Sequence, residues 1–248
     1  MELDVTRYLV MGLALAAGAL VKGATGMGLP LVALPVLTAF FGLQHAVGLM
    51  TIPLILTNFW QVWRFRAVVR DPRMGFLPLF LVGGGLGIVA GTFALTTLPE
   101  RVLVLGLGII LLGYVALRLT RPHMTVGPLL ARRAGPVAGF GGGVLQGATG
   151  ISAPVGVTFI HAMGFERDAH VFAVSAMFLL FSVVQLPSLV ALGVMEASWM
   201  LEGVLALVPI LLFMPIGQAI AGRMSRKAFD RMILAFLGIM GLKMVLGV

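Results

Sequence analysis

Two stretches of this chain combine glycine, threonine and proline so that backbone becomes available for chemistry. Val21-Lys22-Gly23-Ala24-Thr25-Gly26-Met27-Gly28-Leu29-Pro30 aligns with Leu145-Gln146-Gly147-Ala148-Thr149-Gly150-Ile151-Ser152-Ala153-Pro154 at a shift of 124 residues, half the chain. A helix broken at such a turn presents N–H donors at the start of its second half, and those donors, with the helix dipole, favour a negative charge. Gly23, Gly26, Gly147 and Gly150 allow a ligand close to the backbone, and Thr25 and Thr149 add hydroxyl donors. The competing reading is that small residues let helices pack closely. Two copies, each with threonine and a following proline, favour the ligand.

Lys22 is the only formal charge between Arg7 and Arg64. An ionisable residue inside a membrane segment points to function, and beside the first turn it supplies the positive charge an anion needs. Alternatively it snorkels to the cytoplasmic interface. Its counterpart, Gln146, is a neutral donor. Asn58 and Gln61 lie one turn apart on one helix face; at the same shift they fall on Ser182 and Gln185. Gln61 and Gln185 recur in both halves and, with Asn58, Lys22 and Gln146, are candidate binding residues, whereas Ser175 and Ser182 read as interhelical glue. Trp60 and Trp63 read as path-lining residues or interfacial anchors. His45, His161 and His170 could relay protons, but their spacing makes no metal site. No P-loop, nucleophile elbow or zinc-binding HExxH occurs, and there is no cysteine, so no cofactor, metal or enzyme activity is expected. The runs Gly83–Gly87 and Gly139–Gly143 lie inside apolar segments and read as close-packing positions.

These residues must be carried by membrane helices. Of 248 residues, 60% are hydrophobic and 10% charged, too few charges for a water-facing surface. Residues 23–63, 74–99, 134–165, 169–195 and 203–222 carry no Asp, Glu, Lys or Arg, and runs this long read as membrane spans. The net charge of +8 therefore does not imply nucleic acid. Each half parses into five segments: 7–22, 28–41, 45–63, 75–97 and 102–118, then 135–149, 152–163, 170–194, 200–222 and 230–247. The expected organisation is a first repeat over 1–120, a basic linker over 121–134 and a second repeat over 135–248. Residues 64–73, 118–133 and 223–231 hold 12 of the 17 basic residues and should be cytoplasmic; the acidic loop with Glu196 and Glu202 should be outside. That parity puts both termini outside and makes the halves inverted copies. The fold expected is all-α and polytopic, the first two segments of each half forming a broken pair, either re-entrant hairpins or two short tilted spans.

The motif at 22–30 and its echo at 146–154, with the two halves and the Arg-rich centre, resemble the sulfite exporter TauE/SafE family, also called the toluene-sulfonate-uptake permease family. The resemblance implies a multi-pass permease of the bacterial inner membrane for sulfite, a sulfonate, sulfoacetate or a related small anion, and transfers no residue role. A secondary transporter exporting such an anion is the leading expectation. A channel or carrier for a neutral solute or cation, proton-coupled anion uptake, a membrane-embedded enzyme and a structural subunit are the alternatives. The partners expected are the anion and the bilayer, with homo-oligomerisation open.

Overall fold

The computed structural model describes residues 5–120, 125–221 and 226–247. They form eleven helices: α1 Val5–Thr25, α2 Leu29–Phe41, α3 Leu43–Arg64, α4 Leu77–Thr97, α5 Glu100–Thr120, α6 Pro128–Thr149, α7 Thr158–His161, α8 Arg167–Ala191, α9 Ala197–Leu205, α10 Leu207–Ala221 and α11 Arg226–Leu246. Two 3-10 turns, Arg66–Arg70 and Pro72–Phe76, join α3 to α4, and a π turn, Ala153–Val157, leads into α7. No strand occurs among the described residues, as expected where backbone polar groups have no water to bond.

Among the described residues, six stretches are long and apolar enough to cross a membrane: Thr6–Thr25, Leu43–Arg64, Pro72–Thr97, Glu100–Thr120, Arg167–Ala191 and Ala197–Ile220. Element boundaries recur at the half-chain shift. α3 starts at Leu43 and α8 at Arg167; α1 ends at Thr25 and α6 at Thr149. The broken pairs are unequal: each joins a long helix, α1 or α6, to a short partner, the 13-residue α2 or the π turn with α7. With α1 at 21 residues and α6 at 22, the pairs are not two short spans.

Three boundaries differ from expectation. α6 begins at Pro128, so Arg132 and Arg133 stand on its first turns rather than in a linker loop; residues 121–124 of that linker lie outside the described residues. Proline suits a helix start, where its missing N–H has no partner to lose. Glu202 is inside α9, not in a loop. Of the basic stretch 223–231, residues up to 225 lie outside the described residues and the rest opens α11. The other cytoplasmic candidate, 64–73, is built as expected on a polar turn. There Asp71 caps the second 3-10 turn through the Arg73 N–H at 2.9 Å, and the Arg73 guanidinium holds its carboxyl below the usual range.

The chain forms two compact units that are not its two halves. The first is Met1–Pro53, Glu100–Val115 and Glu196–Val248; the second is Leu54–Pro99 and Ala116–Met195. In the first, α1 packs along α10 and against α2. A Cβ on Gly23 would overlap the Met214 carbonyl oxygen, and one on Gly217 the Leu20 carbonyl oxygen. In the second, α4 packs along α6. Gly83, Gly87 and Gly91 meet the carbonyl oxygens of Pro136, Phe140 and Val144, while Gly139, Gly143 and Gly147 meet those of Phe80, Gly84 and Ile88. Glycine every fourth residue on both helices lets the backbones touch, so the glycine runs are packing positions as expected. Each unit thus joins the first helix of one half to the fourth segment of the other.

Candidate functional site

Each half carries its broken turn in a different unit. α1 ends through Gly26 and α6 through Gly150, both left-handed at φ 80° and 72°, with their N–H groups donating to the Lys22 and Gln146 carbonyls at 2.7 Å. This is the usual way a helix stops, and it needs glycine because a Cβ is strained there. Gly28, also left-handed, starts α2, and Pro30 occupies its first turn.

The hydroxyls of the turns are used locally. Thr25 Oγ1 lies 2.8 Å from the Val21 carbonyl and 2.6 Å from that of Met27, and accepts the Met27 N–H at 3.2 Å. Thr149 donates to the Leu145 carbonyl at 2.7 Å and accepts from the Ile151 N–H at 3.4 Å. Both threonines therefore pin the turn geometry. What approaches Gly23 and Gly147 is a neighbouring helix backbone, Met214 for the first and Ile88 with Thr92 for the second. For these two glycines close helix packing accounts for the residue, while Gly26 and Gly150 serve the turns.

Lys22 is 1% exposed. A snorkelling lysine would carry its ammonium out to the surface; this one is enclosed by protein, which is the setting of a functional charge. Gln146, its counterpart, is equally buried. In the second unit Gln185 donates from Nε2 to the carbonyls of Gly147 at 3.2 Å and Gln146 at 3.4 Å. Both are last-turn carbonyls of α6, and that of Gln146 also accepts the Gly150 N–H. Gln185 is thus a side-chain cap that ties α8 to the broken end of α6. Gln61 Oε1 accepts from Ser175 Oγ at 3.0 Å, joining the recurring helices α3 and α8. Asn58 is buried and donates to the Leu54 carbonyl at 2.7 Å. Ser175 is interhelical glue as expected; Ser182 is buried without a hydrogen-bond partner among the described residues. Trp60 and Trp63 are exposed, Trp63 beneath the Arg66 guanidinium at 4.9 Å, in keeping with interfacial anchors.

One constellation was missed in the sequence. His45 at the start of α3 meets the Glu202 carboxylate of α9 at 2.5 Å. Its ring stacks on Trp199 at 4.8 Å and meets Phe41 edge-on at 5.2 Å. Tyr8 reaches the same carboxylate at 3.4 Å, and Arg7 covers Phe41. Glu202 lies 157 residues from His45, so no local spacing signals the pair; an acidic third residue of the predicted span 200–222 was the available hint. His161 and His170 form a T-shaped pair at 5.5 Å. No group of three or more His, Asp or Glu side chains able to hold a metal occurs among the described residues.

Long apolar helices, duplicated broken turns and buried polar groups define a polytopic membrane permease rather than a soluble binding protein. The family model for the sulfite exporter TauE/SafE matches residues 10–244, nearly the whole chain, and the chain belongs to that family of membrane transporters. No curated protein matches it. No solved structure does either.

Proposed function

We propose that the protein is a secondary permease for a small anion such as sulfite or an organosulfonate, exporting it down the membrane potential. The observation that carries this reading is Lys22, a lysine enclosed by protein at the end of a broken helix. In this reading the anion-binding groups of the first unit are Lys22 and the Gly26 turn; those of the second unit are Asn58, Gln61, Gln146, Gln185 and the Gly150 turn. Gly23 and Gly147 let neighbouring helices pack beside the turns, and Thr25 and Thr149 hold the turns in shape. The halves are inverted copies, on the evidence of where the arginines cluster. The bacterial inner membrane is the proposed location.

A monoanion leaving a cell that is negative inside gains about 2.3 kcal/mol per 100 mV, so export needs no coupling ion. Proteoliposomes with a potassium–valinomycin potential test this. Sulfite or methanesulfonate efflux should rise with an inside-negative potential. Flux that ignores the potential but follows an imposed pH gradient replaces uniport with proton coupling. The His45–Glu202 pair favours that second reading, since an imidazole against a carboxylate is a ready proton carrier.

A further inference from the structure

Three buried hydroxyls of the second unit lack the partners that buried hydroxyls ordinarily have. Thr92 in α4, Ser152 before the π turn and Ser182 in α8 are each essentially inaccessible, and none of their oxygens has a hydrogen-bond partner among the described residues. Gln146 Oε1 shares that condition. In a helix, serine and threonine have a default acceptor in the carbonyl one turn back. Thr149 and Ser188 take it at 2.7 Å, and Thr97 at 2.8 Å. Thr92 and Ser182 do not. Buried polar groups are normally satisfied, and one left open calls for an explanation.

Each of these groups lies on α6 or on an element that meets α6: α4, α8 or the segment after its broken end. A Cβ on Gly147 would stand 2.7 Å from the Thr92 N–H nitrogen, and Gln185 reaches the Gly147 carbonyl at 3.2 Å. Ser182 sits one turn before Gln185, so the two share a face of α8. Ser152 begins the segment after the turn; a Cβ on Gly156 there would stand 3.6 Å from Ser152 Cβ and 2.7 Å from Met177 Sδ of α8.

We propose that Thr92, Ser152 and Ser182, with the Gln146 amide, are hydrogen-bonding partners of the transported anion in the second unit. The proposal rests on the anion-permease reading above and extends it to a recognition mode. Three O–H donors can each take one oxygen of a small oxyanion head, and the amide can present either end. None of the four groups carries a formal charge. Such a set reads the number and direction of oxygens rather than total charge, and favours a monoanion, because nothing in it offsets the desolvation of a second charge. A spherical halide offers one centre where an oxyanion offers three.

Thr92→Val, Ser152→Ala and Ser182→Ala test the assignment, with affinity for methanesulfonate and for chloride measured on the purified full-length protein alongside its Tm without ligand. Removing a hydroxyl that has no partner among the described residues should leave the ligand-free Tm unchanged or higher. Methanesulfonate affinity should fall roughly 10-fold or more for each hydroxyl lost, as for hydrogen bonds to charged groups, and chloride affinity should change less. A lower Tm with unchanged methanesulfonate affinity overturns the proposal, since the hydroxyls would then be serving the fold. A variant lost from the membrane is replaced by Ser→Cys or Thr→Ser at that position: the weakly donating thiol should reproduce the loss of affinity, and the retained hydroxyl should rescue it. Should the parent protein bind neither sulfite, methanesulfonate nor chloride, the anion reading itself falls; binding by the parent that the variants leave intact removes only this assignment.

Discussion

At the level of single residues, charge and hydroxyl placement divide the two halves. Lys22 and Gln146 hold equivalent positions and are equally buried, yet only one carries charge. Replacing Lys22 with Gln should leave the protein in the membrane, since the second half already tolerates that side chain at the matching position. Anion flux in proteoliposomes should drop by roughly 10-fold or more, the scale of a lost charged hydrogen bond; unchanged flux would mean the lysine is structural. Gly150→Leu puts a side chain on a left-handed residue, at a cost of about 1–3 kcal/mol, and should abolish substrate binding while membrane insertion persists. His45→Ala removes the partner of a mostly enclosed carboxylate. A loss of about 1–3 kcal/mol is expected, read as a lower Tm that Glu202→Gln in the same chain partly restores, because a neutral amide costs less to leave unpaired than a carboxylate.

Among the elements, the α4–α6 seam is the sharpest object of test. A methyl at Gly87 would overlap the Phe140 carbonyl, whereas one at Gly85, two residues away, finds only Leu180 Cδ2 at 3.9 Å. Gly87→Ala should destabilise by about 1–3 kcal/mol or more through overpacking. Gly85→Ala should be neutral or gain up to about 1 kcal/mol from helix propensity. Equal effects in thermal unfolding would contradict the seam. Much of this was legible: glycine runs inside apolar segments already implied packing, and Gly-Ala-Thr-Gly with its proline located both helix ends. What faces each glycine was not legible, because composition reports size but not neighbours. Gly23 and Gly147 read as ligand contacts in the sequence, and what their Cα positions face in the fold is Met214 and Ile88. Arg132 and Arg133 read as a loop because charge signals water, although a helix can carry charged residues on turns beyond the apolar run. The pairing of His45 with Glu202 and the open hydroxyl of Ser182 depend on tertiary contacts that no local pattern encodes.

For the whole molecule, the arginine distribution makes a claim independent of any side-chain contact. A reporter active only outside the cytoplasm should be active when fused after Val248 or before Met1, and a cytoplasm-only reporter silent at both places. The reverse result removes the inverted repeat. The units also join helices far apart in the chain: α6 follows α4 by about 30 residues, but α10 follows α1 by about 180. At about 5–20 residues per second of synthesis, α4 waits a few seconds for its partner and α1 waits roughly 10–40 s. Through that interval the small-residue face of α1 around Gly23, shaped for the backbone of a helix not yet made, is open to any other helix in the bilayer. The order of translation thus makes the first unit the slower to complete, and leaves α1 the segment most in need of a membrane chaperone while its partner is still on the ribosome.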